Sequence, residues 1–392
     1  MEILSTGEKI KRARVYQGIT LKELCGDKVS ISKMSCIENG KIKADKDILE
    51  YISKKLGLDY EYLVRDVEEQ IIGNLQLINR DLVPDEEMDN VINHNLNYAL
   101  EYSYNDLAFE LIHKLFKHYV KNNKVENIQL IISQYYDLYQ KNNTRENTII
   151  YYKDMATFFY SIKDYNEAIN YFDRARNLII SEKNFNKADY AYISYRQGKS
   201  YEKLGMLEKT YKTMNEALKY INYIEKDLEK GDIYHCFANV CIKLKKDESE
   251  KYMELAYKYK KENPIVLAIA KGKSGKSYFY ANNRDKAIEE IKEGIELFPT
   301  IDEMKYVRFL NSCIRTLYEN KEYDIAYEIT DKALNSAINS KEIDLIEEAY
   351  YLKGMILQKK GLYVQAEMYY KLGEVKDSLK YFTLAMKLDK EW

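Results

Sequence analysis

The residues best suited to chemistry lie at the start of the chain. Residues 1–43 hold nine Lys/Arg against five Asp/Glu, a net of +4, although the whole chain of 392 residues carries −2. A basic head on an acidic body suits a protein of which only the head meets phosphates. Other chemical signals are weak. Ala270 to Ser277 reads AKGKSGKS after the apolar run PIVLAIA, imitating a phosphate loop, but Ala270 stands where the template needs glycine. His113 and His118 are five apart, a poor helical spacing for one metal ion, and His94 and His235 are isolated. No Ser-His-Asp arrangement and no Gly-rich nucleophile turn appears. The sequence therefore predicts a protein that is not an enzyme, with no catalytic, cofactor-binding or metal-ligating constellation.

The elements that must position the head belong to an all-helical chain. Pro84, Pro264 and Pro299 are the only prolines, which favours long uninterrupted helices. No apolar run approaches the about 20 residues needed to cross a membrane, and MEILSTGEKIK has no apolar signal core. The five cysteines (Cys25, Cys36, Cys236, Cys241 and Cys313) form no CxxC pair, which fits reduced thiols in a cytoplasm.

Within the head, Thr20 and Glu23 make a T-x-x-E capping box that starts a second short helix after one over GEKIKRAR. Ser30 caps a third, SISKMSCIEN, which Gly40 ends in the left-handed conformation. Ile10 and Ala13, Leu24 and Cys25, and Met34 and Ile37 supply inward faces, and Ile48, Ile52 and Leu56 recur at helical spacing in DKDILEYISKKLG. GEKIKRAR, TLKELCGDKVS and SCIENGK together resemble the lambda repressor-like helix-turn-helix of the Xre/Cro class over residues 7–63. The resemblance implies that the third helix enters the major groove with Ile31, Ser32, Lys33 and Cys36 toward the bases. It also implies that Lys11, Arg12 and Arg14 on the first helix, Thr20 at the second helix start, and Lys41 and Lys43 beyond the exit turn contact DNA. Ile31 departs from the Arg, Gln or Lys of many relatives and suits a thymine methyl instead. With Lys33 the one base on that helix, shape and phosphate contacts carry much of the recognition.

Beyond the head a repeat takes over. Small residues recur at Ala175, Ala217, Ala256, Gly294, Ala333 and Gly373, in steps of 42, 39, 38, 39 and 40. Seven residues earlier stand Ala168, Thr210, Ser249, Ala287, Ala326 and Ala366; nineteen earlier, Ala156, Gly198, Phe237, Gly275, Ile314 and Gly354. Larger side chains precede the first set by three: Phe172, Met214, Met253, Ile291, Thr330 and Tyr370. Two helices packed as a hairpin need small residues where their axes cross and larger ones to fill the gaps. The offsets resemble the tetratricopeptide repeat at its positions 27, 20 and 8, with Tyr201 and Tyr278 at position 11 and Pro299 at position 32. The longer period predicts longer helices than the standard unit. Phe237 and Ile314 break the small-residue rule, predicting looser packing in the third and fifth repeats. Gly294 and Gly373 keep their sites small but weaken their helices. The expected architecture is a helix-turn-helix domain over residues 1–64, a linker helix over 65–84, and a right-handed repeat superhelix over 85–392, with a capping helix at 375–389.

A helix-turn-helix followed by long-period tetratricopeptide repeats resembles the RRNPP family of peptide-sensing regulators of low-GC Gram-positive bacteria. Phosphatases that share the repeats but lack such a head lend it no activity. The resemblance implies a cytoplasmic quorum-sensing transcription regulator that binds a double-stranded DNA operator, holds a short signalling peptide in the groove of its repeats and pairs as a homodimer, away from membranes. With position 8 as anchor, positions 2, 5, 9 and 12 of each first helix face that groove. Tyr195, Lys199, Asn239, Lys276, Asn311, Arg315 and Tyr351 are the expected peptide contacts, since amides pair with both groups of an extended backbone and cations suit a carboxylate. The alternative is an adaptor whose head docks a partner protein.

Overall fold

A computed structural model describes residues 3–299 and 301–374. Among them the regular structure is helix alone. The chain divides into two compact units, Met1–Ser181 and Glu182–Trp392.

The first unit opens with five short helices: α1 (Thr6–Tyr16), α2 (Leu21–Cys25), α3 (Ile31–Glu38), α4 (Lys46–Leu56) and α5 (Tyr60–Val64). Both bonds of the Thr20–Glu23 capping box are present, and the Ser30 hydroxyl accepts from the Lys33 amide. A second box, Ser5 with Glu8, starts α1. Gly40 follows α3 with φ +70°, as its sequence position predicts. Ile10, Leu24, Cys25, Met34, Ile37 and Ile52 are buried in one core, joined by Val29, Leu49 and Leu63. Gly7 sets the crossing of α1 on α3. A Cβ there would lie 2.2 Å from the Ile37 carbonyl oxygen, so no other residue fits without moving backbone.

The head is built into its unit from both ends. Ile3 leaves the head core and is buried with Val67, Ile71, Leu75 and Ile78 of α6 (Val67–Asn79). The Leu4 backbone exchanges two bonds with the Gln70 amide, at 3.2 and 2.9 Å. Lys9, buried, donates to the carbonyls of Tyr62 and Arg65 at the end of α5. Helices α7 (Asp85–Glu101), α8 (Asn105–Lys121), α9 (Val125–Lys141), α10 (Arg145–Ser161) and α11 (Tyr165–Ile180) complete the unit. Its second core extends from Ile3 to Phe158 and is rich in aromatic contacts, including Tyr139 stacked on Tyr151 at 4.5 Å.

The second unit is a stack of antiparallel hairpins. Their first helices are α12 (Lys187–Lys203), α14 (Asp227–Leu244), α16 (Pro264–Tyr280), α18 (Glu303–Glu319) and α20 (Ile343–Lys359). Their second helices are α13 (Leu207–Leu218), α15 (Ser249–Lys260), α17 (Arg284–Leu297), α19 (Tyr323–Ser340) and α21 (Tyr363–Leu372). The small-against-large logic of the repeat is realised in contacts. A Cβ on Gly198 would meet Met214, one on Gly275 would meet Ile291, and one on Gly354 would meet Tyr370, all within 3.0 Å.

Three expectations are corrected. First helices are uniformly 17 or 18 residues long, but α13 and α15 have only 12; after α13 a 3-10 turn at Ile221–Tyr223 takes up part of the period. Phe237 and Ile314 do not loosen their repeats. Phe237 is buried, stacked on Tyr211 at 5.2 Å and edge-on to Tyr252 at 4.8 Å. Ile314 is buried with Ala326, Ile329 and Ala333, and the position that Ile291 fills opposite Gly275 holds the smaller Thr330 here. Gly373 lies beyond the last turn of α21 as its C-cap, so it weakens no helix interior. The capping helix expected at 375–389 lies outside the described residues.

The repeat has a further register that composition hides. The residue seven beyond position 8 turns each first helix into its second with a left-handed backbone: Lys163, Gly205, Asn282, Lys321 and Gly361. In the repeat of Phe237 the turn comes one residue later, at Lys245.

Candidate functional site

On the head, α3 buries Met34, Ile37 and Glu38 and turns Ile31 and Ser32 outward, with Lys33 and Cys36 half-exposed. The Lys33 ammonium pairs with Asp45 at 2.8 Å, in solvent. Lys11 and Arg12 are exposed on α1, and Lys41 and Lys43 are exposed in the turn beyond α3. Two of the expected DNA contacts are occupied within the domain. The Thr20 hydroxyl is taken up by Glu23 in the capping box. Arg14 donates to both oxygens of the buried Glu38, at 2.7 and 2.9 Å, and to the Ile19 carbonyl at 3.0 Å. Donating to the Glu38 carboxylate holds the Arg14 guanidinium even more firmly protonated than usual. It braces α1 against α3.

In the second unit the expected ligand residues sit on successive first helices, and ion pairs stitch that face. Lys276 of α16 reaches Glu319 of α18 at 3.4 Å, Arg315 of α18 reaches Glu348 of α20 at 2.8 Å, and Lys243 of α14 reaches Glu202 of α12 at 2.7 Å. Tyr351 is exposed and lies 5.8 Å from the Tyr370 ring. Tyr195 is buried, with Lys199 over its ring at 5.5 Å. Burial pushes the Tyr195 hydroxyl well up and the Lys199 ammonium down. The two amides are inside the helical layer. Asn239, 6% exposed, donates to the His235 carbonyl at 2.8 Å, while its Oδ1 has no partner. Asn311 is 1% exposed, and neither its Nδ2 nor its Oδ1 has a partner. An unmade bond of this kind costs about 1–3 kcal/mol.

His235 is the residue that the spacing argument missed. Its Nε2 lies 3.0 Å from both the Ala270 carbonyl oxygen and the Ser274 Oγ. Burial, with Lys260 and Lys273 nearby, pushes its pKa down to about 3. A signal was available: Arg196, His235 and Lys273 occupy the same register, position 6, in three successive repeats.

The discounted motifs resolve into packing. AKGKSGKS lies inside α16, with Gly275 against Ile291. His113 pairs with Asp154 at 2.6 Å and His118 with Asp89 at 2.7 Å. Among the described residues no cluster of His, Cys, Asp and Glu could hold a metal ion, and no helix is long and apolar enough to cross a membrane.

No protein-family model matches the chain, and no curated protein matches it by sequence. Solved structures do resemble it. PlcR of Bacillus thuringiensis, in complex with the peptide PapR7 and DNA, is 18% identical over 75% of this chain and 98% of that one, with a TM-score of 0.37. NprR in complex with its cognate peptide NprX is 14% identical over 83% and 100%, with a TM-score of 0.45. A Rap protein complexed with competence and sporulation factor is 13% identical over 80% and 99%, with a TM-score of 0.46. These neighbours belong to the RRNPP group that the sequence resembles. At such identities and scores the likeness assigns no function and no residue to this chain.

Proposed function

We propose that the protein is a cytoplasmic DNA-binding regulator whose repeat unit takes a short signalling peptide, and that it works as a homodimer. The observation that carries the reading is the exposed face of α3. Ile31, Ser32 and Cys36 lie on a helix whose other face is buried, with Lys33 beside them in a solvent-exposed pair with Asp45, and exposed Lys11, Arg12, Lys41 and Lys43 flank them. A helix held this way, inside a domain of net positive charge, suits the major groove. The peptide half rests on the first-helix face of the second unit. Stacked hairpins place their first helices along one face; here that face exposes Lys276, Arg315 and Tyr351, and beneath it the buried Asn239 and Asn311 keep amide groups without partners. An extended peptide backbone supplies both donors and acceptors for such groups.

The test is a mobility-shift assay with the duplex upstream of the protein's own gene, with and without synthetic peptides from short reading frames beside it. The reading expects a specific shift that peptide changes in strength or stoichiometry. A second reading, an adaptor that docks protein, is favoured by apolar residues exposed on the head: Tyr16 at 92%, with Ile31 and Ile42. It predicts no preference for any duplex.

A further inference from the structure

Asp45 stands at the start of α4, but its carboxylate serves another helix. It has the extended backbone of an N-cap, φ −68° and ψ 158°, yet makes no side-chain bond to α4. The other caps of the head, Ser5, Thr20, Ser30 and Asp59, all accept from the backbone of their own helices. Asp45 Oδ2 instead accepts from the Lys33 ammonium at 2.8 Å, twelve residues back on α3. Lys43 and Lys46 are much nearer in sequence, and Lys46 has Glu50 at 3.9 Å. Lys33 is thereby held at both ends. Its backbone N–H donates to the Ser30 hydroxyl at 3.2 Å, and its ammonium donates to Asp45. An ammonium has three donors, and among the described residues Asp45 is the one ion-pair partner of Lys33. A solvent-exposed pair adds little to stability, so its consequence lies in where it holds the ammonium.

We propose that Asp45 is a positioning residue for DNA recognition, which holds the Lys33 ammonium with its other donors free for the O6 and N7 acceptors of a guanine. The proposal rests on the reading that α3 enters the major groove; it adds the base that is read and the residue that aims the reader. A free lysine side chain gives up rotamer freedom when it binds. One already tied to Asp45 has less to give up, so its bonds to guanine form at a lower entropic cost. The same tie keeps the ammonium from neighbouring phosphates, which every sequence offers. The Asp45 charge also repels phosphates, which weakens binding to all duplexes alike. Neutralising Asp45 therefore has two opposite effects: tighter binding to DNA at large, and a blunted preference for guanine.

The test selects duplexes from a randomised pool with the full chain, as the parent and as Asp45→Asn, Asp45→Glu and Lys33→Ala, and sequences what each retains. Asparagine caps a helix about as well as aspartate, so Asp45→Asn should melt at the parental temperature. The parent is expected to enrich guanine at a fixed position of the recovered site, and Lys33→Ala to lose that guanine while keeping the rest of the site. Asp45→Asn should weaken the guanine preference by about three- to tenfold and bind the unselected pool more tightly than the parent does. Asp45→Glu, which keeps a carboxylate, should retain more of the preference than Asp45→Asn. A Lys33-dependent guanine that survives Asp45→Asn undiminished overturns the positioning role, and so does a recovered site with no guanine that depends on Lys33. Both results leave the DNA reading intact. Recovery of no common sequence by the parent overturns both.

Discussion

Arg14 grips Glu38 through two parallel bonds, Nε to Oε1 at 2.7 Å and Nη2 to Oε2 at 2.9 Å, and so ties α1 to the far end of α3. The Glu38 side chain is only 3% exposed, so removing its partner leaves a buried carboxylate alone. Arg14→Ala should lower the stability of the head by about 3 kcal/mol. Urea melts followed by circular dichroism measure it. A variant with parental stability that loses only salt-dependent DNA affinity would show that Arg14 serves phosphate instead.

The repeat register makes a contrasting pair of predictions. A Cβ on Gly198 meets only the unbranched Met214 side chain, Cε at 2.8 Å and Cγ at 3.0 Å, whereas one on Gly275 also meets the fixed Ala287 carbonyl oxygen at 2.9 Å. Gly275→Ala should therefore cost about 1–3 kcal/mol, and Gly198→Ala close to nothing, since the overpacking penalty depends on whether neighbours can yield. Thermal melts of the two variants decide it; equal shifts would contradict the register.

Much of this was legible in the sequence, and for identifiable reasons. Capping at Thr20 and Ser30 is local chemistry, and the recurrence of Gly198, Gly275 and Gly354 reflects a steric need that any hairpin of this kind must meet. What escaped notice depends on tertiary geometry. Nothing near Ile3 in sequence signals that it is buried against α6, sixty-odd positions away. Nothing near Arg14 signals that its charge is taken up by Glu38. Among the ligand-face residues, helical register predicted which helices carry them but not depth: Lys276, Arg315 and Tyr351 are exposed, while Tyr195, Asn239 and Asn311 are buried. Periodicity fixes an angle around a helix axis; how closely the next hairpin covers that angle is decided by the neighbour's side chains.

Left-handed turn residues offer a stabilising change. Lys321 has φ +65° between α18 and α19, a conformation that strains a residue with a Cβ by roughly 1–2 kcal/mol. Its equivalents Gly205 and Gly361 carry no such strain. Lys321→Gly should raise stability by about 1 kcal/mol once the added backbone freedom of the unfolded glycine is subtracted. A lowered melting temperature would show that the lysine side chain contributes more than its backbone costs.

The buried His235 gives the second unit an acid sensitivity. Its pKa is pushed down from 6.5 to about 3 in the folded chain, by burial first and by Lys260 and Lys273 after it. Above pH 6.5 it is neutral in both states and has no effect on stability. As pH falls toward 3 the unfolded chain takes up a proton that the folded one refuses, so stability falls, by at most about 1.4 kcal/mol per pH unit. His235→Gln should flatten the stability profile between pH 6 and pH 4 relative to the parent, when both are melted across that range. Parallel profiles would mean that His235 is protonated in the fold.

The central claim, that α3 reads DNA, is tested most directly by fluorescence anisotropy of the full chain on the duplex upstream of its own gene and on a scrambled duplex. The account predicts tighter binding to the first, a steep loss with salt, and a weakening of about 1–3 kcal/mol in specific binding alone for Lys33→Ala. Equal affinity for the two duplexes, unchanged by Lys33→Ala, would contradict it.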